Sequence, residues 1–229
     1  MFNIPENCNK LYLDVGLSYC APNSGIWLQK DLNAFVIGFE PSPEAVFKIY
    51  NEVTSYHRKL LKKDFNRFHL EQMALSNVIE ETTMNLYRPK IDVGCSSLFK
   101  PKFTDVLGDV VDCTKVKVDS LSNFFNKNLW LWEKFDRIEY IKIDSQGSDL
   151  NIIKGLNNIL IEKVVWLTAE GDGDYYEETC SEKNSCSNNN IAIYLEEIGF
   201  IKYDHPNTND PTYYNPRFED YLEVYIEQE

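Results

Sequence analysis

Two rhythms of apolar positions run through this chain. Short, nearly unbroken apolar runs occur at Leu11–Val15 (LYLDV), Ala34–Phe39 (AFVIGF), Ile138–Ile143 (IEYIKI) and Val164–Leu167 (VVWL). Runs of this length, bounded by Gly, Pro or charged residues, predict buried strands. Gly16 ends the first, and Pro41 and Pro43 stop the second. Between the runs, apolar residues recur at helical spacing. Ala45, Val46, Ile49, Tyr50 and Val53 form one face of a helix predicted to start at Pro43, whose fixed φ suits a first turn. Ser24 to Asp31 predicts an earlier helix. Leu150, Ile153 and Leu160 follow Gly147-Ser148, with Ser148 as N-cap. Ile191, Tyr194, Leu195 and Ile198 form another helix face, stopped by Gly199. Phe68–Leu75 is a third strand candidate. Thr82–Tyr87 and Val110–Val118 alternate, which predicts strands with one exposed face. Tyr221–Ile226 (YLEVYI) predicts a last strand. Buried strands alternating with amphipathic helices define an α/β fold with a largely parallel core.

No repeat, linker or shift of composition interrupts the pattern. The 229 residues therefore read as a single domain over 1–229. With 43% hydrophobic and 14% aromatic residues the chain can bury a core, which excludes disorder of the whole. Ser181–Asn190 (SEKNSCSNNN) reads as a polar surface loop. The net charge of −13 opposes a nucleic-acid or anionic-membrane partner, because phosphate would be repelled unless a basic patch were concentrated. The densest basic stretch, Arg58–Lys63 (RKLLKK), reads as a solvated face. The six cysteines are Cys8, Cys20, Cys95, Cys113, Cys180 and Cys186. None forms a C-x-x-C pair, so a structural zinc site is not expected. They read as reduced thiols of a cytoplasmic protein, with Cys180 and Cys186 the one pair placed to join if oxidised. The segment MFNIPENCNK lacks the features of a signal peptide, and no run is long enough to span a membrane.

Open parallel sheets bind ligands beyond the carboxyl ends of their strands. Here those ends carry Asp14-Val15-Gly16, Glu40-Pro41, Asp144 and Glu170. Carboxylates are rarely buried without partners, so four at four strand ends point to a shared site. Glu40 stands 24 residues after Gly16. An acidic residue at about that distance from a glycine turn accepts the two ribose hydroxyls of an adenosine-containing cofactor. NAD and S-adenosylmethionine both fit. NAD requires a G-x-G-x-x-G turn to bring a helix N-terminus to its pyrophosphate. After Gly16 this chain runs LSYCAPNSG, which lacks that fingerprint and favours S-adenosylmethionine.

Seven segments then occur in order. They are LDVG at 13–16, IGFEPSPEAV at 37–46, ALSN at 74–77, SSL at 96–98, VDSL at 118–121, YIKIDSQGSDLNIIKG at 140–155 and AEGDGDYY at 169–176. Together they resemble the FkbM family of S-adenosylmethionine-dependent methyltransferases, over about residues 11 to 202. The resemblance implies a Rossmann-like class I methyltransferase fold, with a mostly parallel central sheet, helices on both faces and an antiparallel C-terminal strand. It implies S-adenosylmethionine as cofactor and O-methylation of a sugar or glycan. It places Asp14 and Gly16 along the methionine part of the cofactor, Glu40 with Pro41 at the ribose, and Gln72, Met73 and Ala74 at the adenine. Asp144 would lie beside the transferred methyl. Two departures stand out. The loop is stretched to DVGLSYCAPNSG, so Ser18, Asn23 and Ser24 take the place of a shorter loop's contacts. Gln146 stands where the family often carries Glu, which removes one candidate acid.

A sugar hydroxyl is a poor nucleophile at neutral pH, so a base should take its proton as the new bond forms. Asp144 and Glu170 are the first candidates and His69 the third. His57 and His205 read as surface residues. Asp144, Asp149 and Glu170 offer a cation site, though no motif demands a metal. Tyr175 and Tyr176 are placed to pack against a sugar. Asp210-Pro211-Thr212-Tyr213 reads as a loop between late strands. Loops at Lys90–Lys102 and Asp172–Asn190 would build the acceptor pocket. The alternatives are an NAD-dependent dehydrogenase and a non-catalytic module that binds S-adenosylmethionine or carbohydrate.

Overall fold

A computed structural model describes residues 2–102, 104–171, 175–176, 186–204 and 210–220. The strands are β1 (Lys10–Val15), β2 (Ala34–Phe39), β3 (Phe68–Glu71), β4 (Ala74–Leu75), β5 (Thr82–Pro89), β6 (Val110–Asp119), β7 (Ile138–Ile143), β8 (Val164–Ala169), β9 (Ile201–Tyr203) and β10 (Thr212–Tyr214). The helices are α1 (Pro22–Lys30), α2 (Pro43–Asn51), α3 (Tyr56–Lys63), α4 (Thr104–Leu107), α5 (Leu121–Lys127), α6 (Leu131–Lys134), α7 (Asp149–Lys154), α8 (Asn158–Lys163) and α9 (Asn188–Glu197).

Seven strands form one sheet in the order β3-β2-β1-β7-β8-β10-β9. All neighbours are parallel except β10, which runs antiparallel to both β8 and β9. The apolar runs explain the layers. Every position of β2 and β8 is buried, as strands covered on both faces require. Alternate residues serve opposite faces. Leu11, Leu13, Phe35, Ile37, Ile141 and Ile143 pack with Phe124 of α5, Ile153 of α7 and Leu195 of α9. Tyr12, Ala34 and Val36 pack on the other face with Leu28 of α1, Ile49 of α2 and Leu61 of α3. This is a Rossmann-like α/β fold. The strand order reverses between β1 and β7, which opens a crevice at their carboxyl ends.

A second sheet, β4-β6-β5, adjoins that end of the molecule. Its β6 pairs antiparallel with β5 and parallel with β4. Leu86, Leu98, Phe99, Leu107 and Tyr176 form its own small core.

Several local expectations are corrected. Phe68–Leu75 is two strands: β3 stays in the large sheet, and after Gln72-Met73 the chain crosses to pair with β6. Leu150–Leu160 is two helices broken at Gly155, where a Cβ would lie 2.8 Å from the Ser76 carbonyl oxygen. Ser148 does not cap α7 with its side chain. Thr212–Tyr214 is a strand, not a loop, and supplies the antiparallel partner of β8. Tyr221–Ile226, Cys180, His205 and most of Asp172–Asn190 lie outside the described residues. Tyr50 and Val53 are exposed. The helix boundary at Pro43 stands, capped by Ser42, and Gly199 ends α9 with a positive φ. Cys186 is buried, with its thiol accepting from the Leu150 amide at 3.1 Å. Arg58 is buried, so the basic stretch is not wholly solvated. Its guanidinium donates to the Tyr19 carbonyl and pairs with Glu52, both at 3.2 Å. Among the described residues no helix is long and apolar enough to cross a membrane.

Candidate active site

The site begins where β1 and β7 end together. Gly16 has a φ of 84°, and a Cβ there would lie 1.7 Å from the Asp144 carbonyl oxygen. Only glycine permits both the turn and the approach. Just before it, Asp14 is buried in β1. Its Oδ2 accepts from the backbone N–H and the hydroxyl of Ser24, near the start of α1. Its Oδ1 has no hydrogen-bond partner among the described residues. Burial pushes this carboxyl up to about 6, against the lowering pull of Ser24 and Lys142.

Glu40 follows β2 and is 5% exposed. Its Oε1 accepts from the Ser42 amide at 2.8 Å, and the Ser18 amide also donates to the carboxylate. Burial nevertheless raises it to about 8, and the Asp144 and Asp14 charges add to that. Glu40 thus faces the crevice, while Asp14 lies buried behind the turn at Gly16.

The crevice opens into a cleft with one apolar and one polar wall. Its apolar wall includes Phe39, Met73, Ala74, Leu75, Leu86 and Leu98. The polar wall comes from Ser18, Glu40, Asp144, Ser145, Gln146 and Ser148. The segment Val93–Ser96 closes one side. A Cβ on Gly94 would lie 2.6 Å from the Ser18 hydroxyl, so this turn rests on the loop after β1.

Among the sequence-predicted residues, Gly16, Ser18, Glu40, Pro41, Met73, Ala74 and Asp144 line the cleft. Asp14, Asn23, Ser24, Gln72 and Glu170 do not line it. Ser24 sits behind Asp14, and Gln72 is exposed between β3 and β4. His69 is a correction. It lies on β3 with its Nε2 2.8 Å from Glu71 Oε1, and its ring stacks on Phe2 at 3.7 Å. Asp149 does not line the cleft. It is fully buried, accepting from Ser145 and contacting the Cys186 thiol. Among the described residues no three metal-ligating side chains converge. Tyr176 is buried under Gly147 rather than offered as a platform, while Tyr175 is exposed.

Two residues escaped the sequence reading. Ser148 is 1% exposed and lines the cleft, and its hydroxyl has no partner among the described residues. Its position before a helix suggested a cap and hid this role. Gln146 is the second. It has a φ of 54°, and its Nε2 donates to Asp144 Oδ1 at 3.0 Å and to Glu170 Oε2 at 3.2 Å. Its Oε1 accepts from the Tyr176 hydroxyl at 2.8 Å, and its carbonyl accepts from Ser97 at 2.6 Å.

A seven-stranded sheet of this order, with Glu40 and Asp144 lining one cleft at its strand ends, matches a Rossmann-like methyltransferase fold. The model of the methyltransferase FkbM domain matches residues 26–204, and the chain belongs to that family. The match begins after β1 and does not cover Asp14, Gly16 or Ser18. No curated protein and no solved structure matches the chain.

Proposed function

We propose that this protein is an S-adenosylmethionine-dependent O-methyltransferase acting on a sugar or glycan hydroxyl. The observation that carries the cofactor is Glu40, a buried carboxylate at the end of β2 with backbone amides on one side and the cleft on the other. The donor set fits. Glu40 suits two ribose hydroxyls, and the Met73-Ala74-Leu75 wall suits a flat purine. When bound, S-adenosylmethionine supplies an electrophilic methyl group on a sulfonium.

The remaining work falls to the chain. Gly16 and Asp144 bring two strand ends into contact, so the cofactor groove and the acid share one rigid frame. Asp144 lines the cleft, where it would take the acceptor's hydroxyl proton. Glu170, joined to it through Gln146, orients the acceptor. The apolar walls exclude water that would compete for the methyl. The sugar or glycan acceptor, the cytoplasmic location and the reading of 1–229 as one domain follow from family resemblance and sequence. The net charge of −13 argues against nucleic acid.

The dehydrogenase alternative is disfavoured by the same turn. The Ser24 amide, near the N-terminus of α1, is occupied by Asp14 rather than offered to a pyrophosphate. Leu17 is buried there too, with its side chain against Gly38.

Labelled methyl transfer to a panel of free sugars, glycosides and non-sugar alcohols tests the acceptor class. Label on sugar hydroxyls alone is the expected result. Label only on non-sugar acceptors would contradict the sugar reading and leave methyl transfer intact.

A further inference from the structure

Two carboxylates held close together need something between them. Asp144 Oδ1 and Glu170 Oε2 both lie within hydrogen-bond distance of one nitrogen, at 3.0 and 3.2 Å. Like charges so close repel each other unless donors or a cation intervene. The Gln146 amide group fills that position. Its orientation is fixed, because the reverse would aim a carbonyl oxygen at two carboxylates. Tyr176 holds the amide oxygen, and Ser97, 1% exposed, holds the Gln146 backbone. Gly147, with a φ of 98°, lets the backbone pass under the Tyr176 ring. The side chain is thus braced from both the second sheet and the loop after β8.

We propose that Gln146 is a positioning residue that joins Asp144 to Glu170, its amide standing where a divalent cation would otherwise be needed. This rests on the proposed methyl transfer for its role, but not for its geometry. A carboxylate at 146 would remove both donors and add a third negative oxygen pair. Three carboxylates at that point make a site for a hard cation. A near-isosteric side chain without donors, such as Met, would keep the packing and lose the join.

Two measurements test the assignment. The first is Mn²⁺ binding, followed by the loss of the free-ion electron paramagnetic resonance signal. Wild type should leave the signal unchanged at millimolar metal. Gln146→Glu should capture one ion with a Kd of about 10⁻⁴–10⁻³ M, as weak carboxylate sites do. That capture should vanish when Asp144→Asn is added. The second is a comparison of kcat with cofactor affinity in Gln146→Met. We expect kcat to fall about 100-fold, with S-adenosylhomocysteine affinity and urea midpoint close to wild type. A merely structural residue would lower all three together. Wild-type kcat in Gln146→Met, Mn²⁺ capture by wild type, or no capture by Gln146→Glu would each overturn the proposal. The Mn²⁺ measurement needs no turnover, so it decides the geometry even if the protein transfers no methyl group.

Discussion

Asp144→Asn is expected to lower kcat by about 10²–10⁴-fold, the contribution of a well-placed general base. The variant keeps the shape of the side chain and the Oδ1 that Gln146 donates to. It loses the ability to take a proton. Asp144 lines the cleft, and its backbone carbonyl is pinned against Gly16, so the group is held in place on a strand end. S-adenosylhomocysteine affinity should stay within a few-fold, because the ribose and purine contacts are assigned by our proposal to Glu40 and the Met73-Ala74-Leu75 wall. Single-turnover transfer and product-analogue binding, measured on the same preparation, separate the two. A fall in kcat of less than tenfold would move the proton acceptor to another group, with Glu170 next in line. A parallel loss of binding would make Asp144 a cofactor ligand instead.

Gly16→Ala should destabilise the protein by about 2–5 kcal/mol and abolish cofactor binding. Two causes act together. The φ of 84° is strained for any residue with a Cβ, and the added carbon would meet the Asp144 carbonyl oxygen at 1.7 Å. That oxygen is backbone, so it cannot swing aside. Relief requires β1 and β7 to part at their carboxyl ends, where Asp14 and Asp144 converge. A fold with the usual margin of about 5–15 kcal/mol survives this, so the variant should still unfold cooperatively, at a lower urea midpoint. An unchanged midpoint would contradict the close approach of the two strand ends.

Much of this frame is readable from residues alone. The runs LYLDV, AFVIGF, IEYIKI and VVWL are strands because both faces of the sheet are covered, and nearly unbroken apolar runs of that length, bounded by Gly, Pro or charged residues, fit strands better than helices. Glu40 and Asp144 are legible because strand ends in such sheets gather at one crevice. What is not legible depends on contacts distant in sequence. Nothing local tells β4 to leave the sheet after Gln72, since its partner β6 lies some 40 residues on. Thr212–Tyr214 is only three residues long and becomes a strand because β8 and β9 flank it. His69 has the chemistry of a base, but Glu71 and Phe2 hold it away from the cleft. Gln146 reads in sequence as the loss of an acid. Its amide is informative only once Asp144, Glu170 and Tyr176 surround it.

The central claim, that Glu40 holds the ribose of S-adenosylmethionine, has a direct calorimetric test. In the free protein Glu40 titrates at about 8, so near pH 7 it is mostly protonated. Two hydroxyl donors favour the carboxylate and lower its pKa on binding. Binding therefore releases a proton below pH 8, and affinity rises with pH up to about 8 before levelling off. S-adenosylhomocysteine titrated at pH 7 in two buffers of different ionisation enthalpy should show release of nearly one proton. Glu40→Ala should lose both the affinity and the release, and NAD should give no heat. Heat from NAD alone, or buffer-independent binding that survives Glu40→Ala, would contradict the account.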